Sequence, residues 1–440
     1  MSLEVLKLQS PWLFSKNKQD IPISRPIIER EAYPHLLKSL NEDEATVLIG
    51  HRQVGKTSLL MRLIYDNFEN YTSLYFNFDN PRIQLVIDSI SEFLAFIKPY
   101  YHDPKQTILV FDEIQKTKDP GSLLKELYDL KLGFKIFASG SSSLKIREKV
   151  KETMAGRKFF YEIFPLSFHE IYRFIQKDFN GDFDYILRFD SLNLMKTFHE
   201  YLIYGGFPQV VLSEERERKI KILYELYTSY IEKDIVNLVG IEKTSAFNKL
   251  IKLLALNVGQ LLNISSLQKE SSLKRHEVEN YLELLRYTFV IELLQPFSRS
   301  MKKEITRAHK VYFIDNGMKN LILNDFRACE DRAEGSGLLA ENVIFNELKK
   351  NFCLKNLHFW RTKNGTEVDF ILERENILYA IESKFKKEGL DFRNIDGFFD
   401  TYHMGKNLKA YIVSHKEQSI ITRREYSITN IPFYNVKGII

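Results

Sequence analysis

Gly50-His51-Arg52-Gln53-Val54-Gly55-Lys56-Thr57 fits the pattern Gly-x-x-x-x-Gly-Lys-Thr without a gap. The β-rich run Glu44–Ile49 leads into it, and residues 57–68 follow with helical spacing through Leu59, Leu60, Leu63 and Ile64. That strand, loop and helix order is the setting the motif requires. Glycines let the backbone turn so that successive N–H groups converge on a phosphate at a helix N-terminus, where partial positive charge accumulates. Gly50, His51, Arg52, Gln53, Val54 and Gly55, with Lys56, Thr57 and Ser58, are therefore expected to cradle ATP. In this reading Lys56 bridges the β- and γ-phosphates and the Thr57 hydroxyl holds magnesium.

The second half of such a site is Ile108-Leu109-Val110-Phe111-Asp112-Glu113, an apolar strand ending in two carboxylates. Neighbouring strand residues point to opposite faces, so the two acids can hold different roles. Asp112 is expected to bind magnesium through water, and Glu113 to orient and polarise the attacking water. Another apolar run ends in Phe137-Ala138-Ser139-Gly140-Ser141-Ser142-Ser143. Ser139 is a candidate contact to the γ-phosphate or the water, with a serine-capped helix start as the alternative. Arg157 is a candidate charge-stabilising arginine, acting within the chain or across a subunit boundary of a homo-oligomer, or else an ordinary surface residue.

Around this centre, the runs Leu74–Phe78, Thr107–Phe111 and Phe134–Ala138 alternate with helical stretches, as in a parallel sheet covered on both faces. The expected class is α/β. At 440 residues the chain exceeds one ordinary core, and length suggests roughly two to four domains. The reading gives an ATPase core over residues 1–165, a helical lid over 166–240, a winged helix-turn-helix over 241–315 and an α/β domain over 316–440. Composition is that of a globular protein, 44% hydrophobic and 28% charged. No apolar run approaches the roughly 20 residues that cross a bilayer, and no N-terminal leader is evident, so a cytoplasmic protein without a membrane partner is expected. Two cysteines, Cys329 and Cys353, are too few for a disulfide framework or a metal cluster.

The C-terminal segment has a helix near 338–349, then strands at His358–Thr362, Thr366–Glu373 and Leu378–Phe385, a helix near 391–402 and a strand at Ala410–Ser414. Asn364-Gly365 reads as a type I′ hairpin. Asp369 lies mid-strand, and Glu382 and Lys384, two residues apart, share a face. If the strands form a meander, Asp369 joins them, and two carboxylates with an ammonium could hold magnesium and orient a water for phosphodiester attack. Glu341 is a candidate further ligand. The expected winged helix carries Lys274, Arg275 and His276 at one helix start and Arg299, Lys302, Lys303, Arg307 and Lys310 in or beside its wing. Clustered cations there would neutralise DNA phosphates, or form a solvated or protein-contact face. A net charge of +5 permits an anionic partner without demanding one.

The Gly50–Thr57 loop, Asp112-Glu113, Gly140–Ser143, Gly156-Arg157 and Pro165-Leu166-Ser167-Phe168 together resemble a group of prokaryotic AAA-type ATPases. Tyr204-Gly205-Gly206-Phe207-Pro208 and Lys233-Asp234-Ile235 are similar to that group's helical segment, which carries a C-terminal domain of uncharacterised function. The Glu…Asp…Glu-x-Lys series resembles the restriction-endonuclease-like superfamily, whose core has the same α-β-β-β-α-β order. These resemblances imply an ATPase that acts on DNA through a nuclease-like PD-(D/E)XK domain. The rivals are an ATP-gated switch binding a protein partner, with an inactive nuclease-like domain, and a DNA-binding ATPase without cleavage.

Overall fold

The strand that leads into the glycine-rich loop lies inside a five-stranded sheet. The structure, a computed structural model, describes residues 3–439 except 24–25, 85–88, 141–156, 177–182, 236–243, 299–307, 332–334, 352–353, 386–391, 403–406, 415–417 and 424–425. Ser141–Ser143, Gly156, Cys353 and the wing cations Arg299, Lys302, Lys303 and Arg307 lie outside the described residues. The chain divides into two compact units, residues 1–164 with 287–289, and residues 165–286 with 290–440.

In the first unit, β1 (Ala45–Ile49), α1 (Lys56–Asp66), β2 (Thr72–Asn77), α2 (Ile90–Ile97), β3 (Thr107–Asp112), α3 (Pro120–Asp129), β4 (Lys135–Gly140) and β5 (Lys158–Glu162) alternate along the chain. The sheet order is β2-β3-β4-β1-β5, and every pairing is parallel. Strands buried on both faces read as continuous apolar runs, which is why all of β1 and β3 is buried. Phe76 and Phe111 stack with centroids 5.8 Å apart, and Phe93 from α2 closes edge-on over Phe76 at 5.2 Å. The free edge of β2 is satisfied by side chains from upstream. Ser10 accepts from the Tyr75 N–H at 2.9 Å, Gln9 from Asn77 N–H at 2.7 Å, and the Trp12 indole donates to the Ser73 carbonyl at 2.9 Å. An open edge would otherwise invite another strand.

The second unit begins with helices. α4 (Phe168–Ile175) starts on a capping box between Ser167 and Glu170. α5 (Phe183–Tyr204), α6 (Arg216–Tyr227), α7 (Thr244–Leu256), α8 (Ile264–Ser271) and α9 (Arg275–Tyr287) follow. The expected turn Tyr204–Pro208 is held by Asp315, whose Oδ2 accepts from the Gly206 N–H at 2.7 Å. Gly205 has φ +74°, and a Cβ there would meet the Asp315 carboxylate at 2.2 Å, so no other residue fits. Next come β6 (Ile291–Pro296), β7 (Lys310–Phe313), α10 (Asn316–Leu323), α11 (Gly335–Asn351), β8 (Leu357–Arg361), β9 (Glu367–Arg374), β10 (Ile377–Lys384), α12 (Arg393–Tyr402), β11 (Asn407–Ser414), β12 (Ser419–Arg423) and β13 (Tyr426–Pro432). The order from α11 to β11 is α-β-β-β-α-β; β12 and β13 are two strands that the sequence reading lacked.

The sheet runs β12-β13-β11-β10-β9-β8-β6-β7. β8, β9 and β10 are antiparallel neighbours, and β11 lies parallel to β10. The β6–β7 hairpin joins through Gln295 opposite His358 and Pro296 opposite Phe359. The expected boundary between residues 315 and 316 therefore falls within elements that share one sheet. The hairpin expectation also needs correction. Between β8 and β9 only Gly365 has positive φ, and the Gly365 N–H donates to Thr362 O at 3.2 Å. This is a three-residue loop of the type I plus glycine kind, because Asn364 does not enter the left-handed region that a type I′ turn needs. The two-residue turn with both φ positive is Glu375-Asn376, between β9 and β10. Among the described residues no helix is long and apolar enough to cross a membrane.

Candidate functional site

β1 ends at Ile49, and the loop leaves it hard against residue 163: a Cβ at Gly50 would lie 2.2 Å from the Ile163 carbonyl. Gly55, at φ +98°, then turns the backbone into the first turn of α1. Arg30 braces the loop from outside, donating from Nη1 to the Val54 carbonyl and from Nη2 to the Phe164 carbonyl, both at 2.6 Å. Lys56 is 4% exposed, and its Nζ donates to Gly50 O at 3.1 Å and His51 O at 2.8 Å. Burial pushes this ammonium down to about 8, against the pull of Glu113 and Asp112. The His51 ring is buried too; desolvation pushes it down to about 3, so it is neutral at ordinary pH.

Asp112, at the end of β3, collects hydroxyls. Thr57 Oγ1 donates to its Oδ2 at 2.7 Å, the Tyr75 hydroxyl from β2 donates to the same oxygen at 2.6 Å, and Ser139 Oγ from β4 donates to Oδ1. Ser139 also accepts the Glu113 N–H at 3.4 Å. Its hydroxyl is thus turned onto the carboxylate and the backbone beside it. Glu113 stands outside the strand, at φ +54° at the start of a short 3-10 turn, where Gln115 donates to its Oε2. Strand alternation is therefore not what separates the two acids; the chain leaves the extended conformation between them.

Arg157 is not brought to this cluster. Its Nε pairs with Asp129 Oδ1 at 2.9 Å, and its carbonyl accepts the Ala45 N–H at 3.0 Å. β5 runs parallel to β1 with Lys158 opposite Ala45, so Arg157 sits at the end of the sheet away from the loop. A role at the phosphates of its own chain is excluded by that register.

The C-terminal acids do converge. The β9–β10 register, with Ile381 opposite Phe370, carries Glu382 to the position facing Asp369. Asp369 Oδ2 accepts the Ser383 N–H at 2.8 Å, and Lys384 Nζ lies 2.6 Å from Glu382 Oε2. What was not expected is Lys310. Read as a wing cation facing DNA, it is instead 1% exposed, with Nζ 2.5 Å from Glu367 Oε1, 3.3 Å from Glu341 Oε1 and 4.0 Å from Asp369 Oδ1. Tyr312, two residues along β7, donates to the same Glu341 oxygen at 2.7 Å. Burial pushes Glu341 and Glu382 up to about 7, and Asp369 upward also, with Lys310 opposing the rise at Glu341 and Asp369. For Lys310 the surrounding carboxylates outweigh burial and hold it charged.

Of the expected metal ligands, Glu341 and Asp369 thus flank the Lys310 ammonium together with Glu367, while Glu382 pairs with Lys384. Among the described residues no group of three or more His, Cys, Asp or Glu side chains has the spacing to hold a metal ion. Of the other expected cations, Arg275 pairs with Glu279 at 2.9 Å, and next to it the backbone N–H of Lys274 donates to Glu277 at 2.6 Å.

Residues 42–172 match a family described as an AAA domain, residues 195–328 a domain of unknown function (DUF8612) and residues 336–434 another (DUF4143). An uncharacterized protein of Methanocaldococcus jannaschii is 31% identical over 338 residues, covering 75% of this chain and 72% of its own length. The chain belongs to an AAA-type ATPase family. An uncharacterized protein of Haemophilus influenzae is 27% identical to this ATPase across 90% of the chain and 95% of its own length. Among solved structures, the ORC2 protein of Aeropyrum pernix in its ADP form covers 70% of this chain and 97% of its own, at 13% identity and a TM-score of 0.35.

Arg30, Tyr75, Tyr312 and Glu367 escaped the sequence reading. Tyr75 and Arg30 reach the loop and Asp112 only through tertiary register, and no motif marks them. Glu367 was legible, since it stands two residues before Asp369 and so on the same strand face.

Proposed function

We propose that this AAA-type ATPase binds ATP with magnesium at the Gly50–Thr57 loop, hydrolyses it, and uses the cycle to control DNA-directed work by the second unit. The convergence of Thr57, Tyr75 and Ser139 on Asp112, beside the buried Lys56, carries the first half of this reading. Thr57 Oγ1 and the Asp112 carboxylate are hard oxygen donors, the type that suits magnesium. Magnesium, when bound, would neutralise charge on the β- and γ-phosphate oxygens. Lys56 supplies a cation to the same oxygens, and the loop N–H groups align the chain of phosphates. Glu113, held off the strand by its positive φ, orients and polarises the attacking water. Ser139 fixes the rotamer of Asp112 and the backbone at Glu113.

Lys56→Ala should abolish binding of a fluorescent ATP analogue. Glu113→Gln should keep that binding while turnover falls by about 10²-fold or more. If the second variant turns over like wild type, Glu113 is not the water-orienting group.

The DNA half is supported by element order. α7, α8 and α9 followed by the β6–β7 hairpin have the arrangement of a winged helix-turn-helix, and Val258 and Leu261 bridge to Val311 and Lys310 beside the hairpin. The α-β-β-β-α-β sheet, with three antiparallel strands and a parallel fourth, supports a restriction-endonuclease-like fold. ATP turnover is expected to rise with duplex DNA and to lose that rise with added salt. Turnover indifferent to DNA at every salt concentration would favour a protein-directed switch. Because Lys310 fills the acidic cluster, we take the nuclease-like domain as a recognition module rather than a metal-dependent cutter. Plasmid nicking by wild type that disappears in Asp369→Ala would reverse this.

A further inference from the structure

Lys310 ties the β6–β7 hairpin to the acids of the C-terminal sheet. It comes from the first residue of β7, is almost wholly removed from water, and lies within 4.0 Å of carboxylate oxygens from α11 and β9. The Phe359 ring, 5.7 Å away, forms an apolar wall beside it. Glu341 is buried and Glu367 and Asp369 are half-buried, which is costly for a carboxylate unless it is paired, and these three share one cation. Arg361 Nη1, 2.8 Å from Glu367 Oε2, reaches the cluster from its exposed side. Lys384 serves Glu382 and leaves Lys310 to the other acids.

We propose that Lys310 is a built-in counter-ion that takes the place of a divalent cation in the C-terminal acidic cluster, so that the wild-type protein holds this site closed to metal. The ammonium belongs to the β6–β7 hairpin, so the charge balance of the cluster depends on that hairpin being docked along β8. Lys310 is in this sense a positioning residue, joining the hairpin to the carboxylates of the sheet. The proposal rests on the nuclease-like reading for its meaning, but it is tested without DNA or nucleotide, so the two can fail separately.

The full-length protein, free of nucleotide, is titrated with Mn2+ by calorimetry beside Asp369→Asn. Wild type and variant are expected to take up the ion equally, because neither offers the cluster to it. In Lys310→Gln the cluster loses its cation. That protein should melt earlier, recover most of the loss in millimolar Mn2+, and lose the recovery when Asp369→Asn is added. A residue that merely fills space would give the earlier melting without the recovery. Uptake of Mn2+ by wild type that Asp369→Asn removes would overturn the proposal, as would a folded Lys310→Gln protein indifferent to Mn2+. Should Lys310→Gln not fold, the comparison of wild type with Asp369→Asn decides alone.

Discussion

A single carboxylate receiving three hydroxyl groups decides much about the nucleotide site. Thr57 was legible because it belongs to a contiguous motif, and Asp112 because an apolar strand ends on it. Tyr75 was not, since its hydroxyl arrives from the neighbouring strand and any aromatic would satisfy the pattern of β2. A hydrogen bond to a charged acceptor is worth about 1.5–3 kcal/mol. Tyr75→Phe, which keeps the ring, should lower the stability of the first unit by an amount of that order in urea unfolding. An unchanged midpoint would mean that Thr57 and Ser139 suffice. Lys56 makes a second prediction, in pH. Its ammonium falls from the ordinary 10.5 to about 8 through burial, so the unfolded chain binds the extra proton between those values and folded stability rises with pH across that window. Over the same window ATP loses its cationic partner, and affinity should fall as pH passes about 8. Binding and melting measured in parallel should therefore move in opposite directions.

Elements were read well where one strand or helix carries its own signal. The strands of the first unit are continuous apolar runs, and their burial on both faces follows from that. The three strands of the C-terminal meander were legible as short runs, yet their turns were misassigned. Asn364-Gly365 is an attractive pair, but the loop there takes a third residue and needs only one left-handed position. The tighter turn fell on Glu375-Asn376, where Glu375 pays the strain of φ +51°. Both residues are exposed. Replacing them by Glu375→Asn together with Asn376→Gly should stabilise the second unit by about 1 kcal/mol, read as a higher urea midpoint. No gain would indicate that the β9–β10 pairing, rather than the turn, sets the local backbone. Lys310 shows why charge was the hardest property to place. A lysine that closes a run of expected wing cations reads as solvent-facing, and only the packing of β7 beside the acids of α11 and β9 shows it turned inward.

For the molecule as a whole, the acidic cluster gives the second unit its own pH dependence. Glu341 and Glu382 rise from 4.5 to about 7, so the unfolded chain releases their protons first. Stability of that unit should fall as pH climbs from 4.5 to 7, opposite to the usual carboxylate behaviour. Urea midpoints that rise across this interval would show that the acids are ionised in the folded state. The first unit's Lys56 acts in a higher window, so a two-step unfolding curve can be assigned by pH alone.

The two residue pairs that join β6 to β8 also bear on how the protein can be dissected. Severing the chain near residue 315 would strip β8 of its outer neighbour and leave Gln295 and Pro296 beside nothing, so each fragment would present a raw strand margin to its fellows in solution. Fragments that begin or end there should clump, whereas those cut at 164 and 165 break no strand ladder.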